Sequence, residues 1–379
     1  MSYNQSITDA LSPFTASNAA SLKFASWFGT GVSLGALTKF SSSLYTQDIT
    51  GTDALTGFTF PTSLQAFMGN SVNTQMWLIP DPKTPDYDTG TLSSHIEAIL
   101  QSSTAPQGPA GYRELYTPVH TRNSANGSNS KPQIILMITR SGSGGLPPAD
   151  LPEIYVSTWH FIPANLPTIL DYNYGSNFYV LKDFKTGGYG GGNAYGDFRI
   201  SISIVRSSAG QPLYYRFAAD NNANGYSPTI PSVGSMTTYW QFPTVPGTSD
   251  GKAEDDLGYW VRVHLYIKMS RAINVRSSTT EAGATGPMYE QDPTTGFAYA
   301  AIENPSTGRW LTLGAKSGGR MRGNENLPWA RMMAATCYCT ATSASDPIVY
   351  AKSTGLQIWD RPPIYLPTTV TKRSDAQTY

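Results

Sequence analysis

The feature that most constrains this chain is its punctuation. From about residue 51 onward, short runs of β-branched and aromatic residues recur, and each is cut off within a few positions by Gly, Pro, Asn or Ser. The runs include "QMWLIP" (75–80), "PQIILMITR" (132–140), "EIYVSTWHFIP" (153–163), "NFYVLKDFKTG" (177–187), "DFRISISIVR" (197–206), "PLYYRFAAD" (212–220), "YWVRVHLYIKMS" (259–270), "RWLTLG" (309–314), "WARMMAATCYCTA" (329–341) and "GLQIWD" (355–360). Runs of this length between turn residues read as strands, and a chain built almost wholly of them reads as an all-β sandwich. No fixed period links the runs, which argues against a propeller or solenoid. "SSHIEAILQ" (93–101) has helical spacing and is the best helix candidate. The spacing predicts an N-terminal arm over residues 1–50 with a short helix near 5–12, a sandwich over 51–365 and a tail over 366–379.

Alternation along the strands points to a face with chemistry. Successive side chains of a strand point to opposite sides of the sheet. In "YWVRVHLYIKMS", Val261, Val263, Leu265 and Ile267 form a core side, and Trp260, Arg262, His264, Tyr266 and Lys268 fall on the other. In 197–204, Asp197, Arg199, Ser201 and Ser203 oppose Phe198, Ile200, Ile202 and Ile204. In 177–186, Tyr179, Leu181, Asp183 and Lys185 oppose Phe178, Val180, Lys182 and Phe184. If these strands share a sheet, Lys185, Arg199, Trp260, Arg262, His264 and Tyr266 line one of its faces. Aromatic rings stack on sugars, and Arg and Asp bond to hydroxyls or carboxylates, so such a face suits a glycan. The alternative is a surface sheet laced by cross-strand ion pairs such as Asp183 with Arg199. His160, in "STWHFIP", reads as a satisfied sheet residue.

Composition excludes several partners. Lys and Arg (26) balance Asp and Glu (26), only 14% of residues are charged, and no basic stripe exists, so neither nucleic acid nor an anionic bilayer is attracted. The longest apolar run, "IILMI" at 134–138, is too short to cross a membrane, and the first residues lack the features of a secretory signal. Cys337 and Cys339, two apart in "TCYCT", are badly placed for a disulfide with each other. Nucleotide-binding, zincin and serine-hydrolase signatures are absent, and the glycine-rich "GGYGGGNAYG" (187–196) reads as a hairpin tip. "AADNNANGY" (218–226) places Asp220, Asn222, Asn224 and Gly225 in the order D-x-N-x-N-G. A full calcium loop needs Glu at its twelfth position, where this chain has Pro231. Two readings stand: an Asn-rich turn, or a single structural calcium on Asp220, Asn222 and Asn224.

Taken in order, "IYVSTWHFIP", "FKTG" with "DFRISISI", "AADNNANG" with "YWQF", "YWVRVHLYIK", "WARMMAATCY" and the closing "GLQIWDRPP" resemble the concanavalin A-like lectin/glucanase jelly rolls, and within them the heparin-lyase and alginate-lyase type of sandwich, over roughly residues 55–365. The resemblance implies a jelly roll of two packed antiparallel sheets, one concave, with a glycan groove across it. It carries over no catalytic residue: where alginate-lyase-type domains have Y-F-K-A-G-x-Y, this chain reads "WARMMAATCYCTA". The expectation is a non-catalytic polysaccharide-binding protein of an external surface, such as a virion or cell coat. A lyase using Arg199, Arg262, His264 and Tyr266 for β-elimination is one alternative. A structural or decoration subunit of a phage or surface assembly, whose terminal arms tie copies together, is another.

Overall fold

The computed structural model describes residues 21–41, 44–68, 72–79, 97–106, 108–120, 133–140, 153–170, 178–186, 198–206, 210–221, 237–242, 251–269, 272–276, 288–291, 294–317, 329–339 and 348–363. In chain order the strands are β1 (Leu22–Ser26), β2 (Ser33–Leu34), β3 (Thr38–Ser41), β4 (Leu44–Thr52), β5 (Thr59–Phe60), β6 (Val72–Ile79), β7 (Ile99–Ser102), β8 (Arg113–His120), β9 (Gln133–Arg140), β10 (Glu153–Phe161) and β11 (Phe178–Thr186). They continue as β12 (Phe198–Arg206), β13 (Leu213–Asn221), β14 (Thr237–Phe242), β15 (Trp260–Lys268), β16 (Ala272–Arg276), β17 (Met288–Gln291), β18 (Phe297–Asn304), β19 (Arg309–Ser317), β20 (Trp329–Cys339) and β21 (Ile348–Trp359). The two α-helices among the described residues, Thr62–Met68 and Leu166–Leu170, are short, and no described helix is long and apolar enough to cross a membrane.

The strands form two large antiparallel sheets and a two-stranded ribbon of β16 and β17. One sheet has eight strands in the order β19-β18-β15-β10-β21-β8-β7, with β1 also on β21. The other has eleven, in the order β14-β13-β12-β11-β20-β9-β6-β4-β2, with β3 and β5 on β4. Between β8 and β11 the chain changes sheet at every strand, and again from β19 to β21. The centre of the eight-stranded sheet therefore joins segments far apart in sequence: β10, β15 and β21 are neighbours.

The expected core side of each strand is where the sheets meet. Val261, Val263, Leu265 and Ile267 pack in one cluster with Ile200, Ile202 and Ile204 of the opposite sheet, together with Tyr215, Phe217, Ala300, Ile302, Leu311 and Leu356. Each is 0% exposed, and burial of such side chains supplies the dominant stabilisation, about 1.5–3 kcal/mol apiece.

Three expectations are corrected. Residues 21–50 are not a free arm: β1 lies on β21 in one sheet and β4 on β6 in the other. Asp53 fastens this segment, accepting hydrogen bonds from Ser26 Oγ (2.8 Å) and the Trp27 amide (2.7 Å). Residues 1–20 and the tail at 366–379 lie outside the described residues, as does the helix expected near 5–12. The helix expected at 93–101 is also corrected, since Ile99 to Ser102 form the edge strand β7, held by β8. Its apolar residues satisfy a 3.6-residue period by spacing, but hydrogen bonds across to β8 decide the outcome. Finally, the alternation in β11 is broken by a bulge between Val180 and Lys182. The extra residue turns Tyr179, in register with Ile204, into the core cluster in place of Val180, while Lys182 stays on the side of Phe184 as the alternation implies, in register with Ile202 and 0% exposed.

Candidate functional site

The eight-stranded sheet has a second, outward side, and its register arranges that side in three rows across the strands. The middle row runs Thr312, Ala301, His264, Ser157, Gln357 over β19, β18, β15, β10 and β21. The row on one side of it runs Trp310, Glu303, Arg262, Trp159. The row on the other side runs Ala315, Tyr299, Tyr266, Tyr155, Trp359. A floor of small and polar side chains thus lies between two walls rich in Trp and Tyr. Alternation places the three rows on the side opposite core residues of the same strands, such as Leu311, Ile302, Val263, Val156 and Leu356.

The polar groups in the rows are wired to one another. His264 bonds Tyr155 Oη through Nδ1 (3.0 Å) and Glu303 Oε2 through Nε2 (3.1 Å). Burial holds the His264 imidazole below its ordinary pKa, outweighing the upward pull of Glu303, so the ring is neutral. A neutral ring beside a carboxylate donates Nε2–H to Glu303 and accepts the Tyr155 hydroxyl at Nδ1. Burial also pushes the Tyr155 hydroxyl well above its usual range. The indole of Trp310 stacks on the His264 ring at 4.9 Å. Arg262 lies over the Trp159 ring at 5.6 Å and donates from Nη2 to Gln357 Oε1 (2.8 Å), which also accepts from Ser157 Oγ (3.3 Å). Tyr266 donates to Glu153, and burial raises its hydroxyl pKa. Gln357 Nε2, Trp359 Nε1 and Thr312 Oγ1 are buried with no protein partner.

Of the predicted residues, the structure brings together Trp260, Arg262, His264 and Tyr266, one strand's contribution to this face. It does not bring Lys185 and Arg199 to them. Those two belong to β11 and β12 of the eleven-stranded sheet, opposite each other in register, with Asp220 of β13 beyond Arg199. The shared-sheet assumption fails because the chain changes sheet between β14 and β15. The face is also not open as expected. Trp260, Arg262, His264 and Tyr266 are 5, 2, 0 and 5% exposed, and the rest of the three rows is buried with them. Asn222 and Asn224 lie outside the described residues. Among the described residues no group of three His, Cys, Asp or Glu is placed to hold a metal.

The face opens at its flank. There β10, β21, β8 and β7 present Phe161, Lys352, Tyr116, Glu114, Ile99 and Gln101, the alternates of core residues Ile162, Leu115 and Leu100. Phe161, Tyr116, Lys352 and Gln101 are half-buried and Ile99 is 44% exposed. Lys352 Nζ sits 5.3 Å from the Phe161 ring centre and 5.7 Å from that of Tyr116. Behind this flank Trp27, Trp159 and Trp260 pack with Ala105. Gly355 allows that packing: its φ is +61°, and a Cβ there would lie 2.7 Å from Trp159 and 2.8 Å from Trp27. Sequence reasoning missed Tyr155, Trp159, Glu303, Trp310, Gln357 and Trp359. The alternation in "EIYVSTWHF" and "LQIW" carries the signal for four of them.

No protein-family model and no curated protein matches the chain. Among solved structures, similar chains include a botulinum neurotoxin type C from work on its interaction with two ganglioside molecules, at 9% identity and a TM-score of 0.30, and the binding domain of botulinum neurotoxin serotype G, at 10% and 0.28. Each match takes in 70% of this chain and 42% of the neurotoxin chain. TM-scores this low do not establish a shared fold.

Proposed function

We propose that this protein binds carbohydrate without cleaving it, through the outward side of the eight-stranded sheet, entered from its open flank. The observation that carries the reading is the open flank, where half-buried Phe161, Tyr116, Lys352 and Gln101 and the exposed Ile99 line the outward side beside the buried three-row network. Aromatic rings such as Phe161 and Tyr116 take the apolar faces of sugar rings, and polar groups beside them bond the sugar hydroxyls. The concanavalin A-like connectivity and an external setting, on a virion or cell coat, belong to the same proposal.

The wiring of the site favours binding over β-elimination. A lyase needs a base free to take a proton from the sugar. His264 has both ring nitrogens engaged, Tyr155 has its pKa driven upward, and Arg199 stands in the other sheet. The test is retention on immobilised polysaccharides, run beside an absorbance assay near 235 nm on uronate polymers. Retention on at least one polysaccharide, with no absorbance rise on any, is expected. An absorbance rise that disappears in His264→Gln makes the protein a lyase, and no retention on any polysaccharide removes the carbohydrate reading.

A further inference from the structure

We infer that the open flank is a subsite for an uncharged sugar ring, with Glu114 as the acceptor that recognises it. The inference rests on the reading that the protein binds saccharides, but on residues separate from the buried rows. Glu114 is 1% exposed, and its Oε1 accepts from Gln101 Nε2 on β7 (2.7 Å) and lies 3.3 Å from Lys352 Nζ on β21. Its other oxygen, Oε2, is buried with no hydrogen-bond donor. A buried carboxylate oxygen left without a donor costs more than one that is paired. Lys352 is the flexible member, 24% exposed and resting over two aromatic rings. A ligand hydroxyl that donates to Oε2 completes the carboxylate, while Gln101 and Lys352 keep Oε1.

The charges decide the ligand class. Lys352 and Glu114 cancel, so no net positive charge remains to draw a uronate or sulfate. The unused capacity is an acceptor, which a carboxylate ligand cannot satisfy and a hydroxyl can. Tyr116 and Phe161, whose ring centres lie 5.7 and 5.3 Å from the Lys352 ammonium, offer half-buried rings for the apolar side of a pyranose, and Ile99, opposite Tyr116 at the sheet edge, extends that surface. The occupant that fits is therefore a neutral saccharide with a hydroxyl directed at Oε2, held beside the aromatic pair.

The experiment is a binding array of neutral and uronate-bearing oligosaccharides, probed with wild type, Glu114→Gln, Tyr116→Ala and Lys39→Ala, each checked for folding by circular dichroism. Glu114→Gln keeps an oxygen for Gln101 and Lys352 while putting an N–H donor where Oε2 was. Neutral oligosaccharides are expected to bind wild type and to bind Glu114→Gln and Tyr116→Ala at least about tenfold more weakly, the range for a lost hydrogen bond to a charged group. Lys39→Ala, exposed on β3 of the other sheet, is expected to leave this binding within about threefold, the spread usual for a site that is not touched. Neutral binding unchanged in both flank variants, or wild-type binding confined to uronates, overturns the subsite while leaving the carbohydrate reading in place. Wild-type binding to no oligosaccharide overturns both.

Discussion

Lys182 offers the sharpest stability test. Its side chain has no exposed surface and lies between the two sheets, with Nζ 3.4 Å from Nε2 of His160. Burial depresses the pKa of the Lys182 amine well below its ordinary value, and does the same to His160, where the neighbouring lysine adds to the effect. The unfolded chain holds the Lys182 proton up to about pH 10.4, whereas the folded protein gives it up at a lower pH. Wherever the unfolded state binds more protons, stability rises with pH. Lys182 therefore destabilises the fold at neutral pH, and that penalty shrinks as pH rises towards 10.4. The slope is about 1.4 kcal/mol per pH unit where the native amine is neutral, and the gap of about 3.4 units between pH 7 and the free value caps the penalty near 5 kcal/mol. Lys182→Met keeps the volume, removes the penalty and gives up one hydrogen bond to His160, worth about 1–2 kcal/mol. The variant should be more stable than wild type by about 1–3 kcal/mol at pH 7, and the advantage should fall as pH approaches 10. Guanidinium unfolding of both proteins at pH 7, 8, 9 and 10 reads this directly. A difference that stays constant across the series, or a variant less stable at pH 7, refutes the reasoning.

Further predictions concern the same core and its edges. His160 and His264 are both held below their ordinary pKa, so as pH falls below about 6.5 the unfolded chain gains protons that the native state does not, and stability should drop by about 1.4 kcal/mol per pH unit for each histidine; His160→Gln should remove its share in acid-unfolding curves. Asp256 is buried and accepts from Tyr215 Oη (2.7 Å), Asn304 Nδ2 (2.6 Å) and Arg309 Nη1 (3.2 Å), with burial raising its pKa against the pull of Arg309. Asp256→Ala removes the buried acceptor that Tyr215 and Asn304 share, while Arg309 keeps the Lys252 carbonyl (2.8 Å), and should cost about 3–5 kcal/mol in urea unfolding, with Asp256→Asn costing less. Gly355→Ala places a methyl group against Trp27 and Trp159 at positive φ, and thermal unfolding should show a loss of more than about 1 kcal/mol.

The all-β architecture and the core side of most strands were legible, because alternation of Val261, Val263, Leu265 and Ile267 against Trp260, Arg262, His264 and Tyr266 reports which side packs. Which strands become neighbours was not legible. Lys185, Arg199 and Arg262 read alike as polar residues on alternating strands, yet two sit in one sheet and the third in the other. Pairing of β10 with β15 and β21 joins segments more than 90 residues apart, and nothing local in "YWVRVHLYIKMS" specifies it. The bulge that turns Tyr179 into the core is equally silent in sequence, since "FYVLKDFKT" alternates well enough without it. The strand at Ile99–Ser102 shows the opposite failure, a helical spacing overridden by an edge pairing.

Hydroxyl-radical footprinting with and without a bound oligosaccharide measures directly where a glycan touches the molecule. Oxidation of Ile99, Tyr116 and Phe161, the accessible side chains at the flank of the eight-stranded sheet, should fall when the sugar is present. Protection confined to peptides from Phe178–Thr186 and Phe198–Arg206, with Tyr116 and Phe161 oxidised as in the free protein, would place the site on the other sheet and contradict the account.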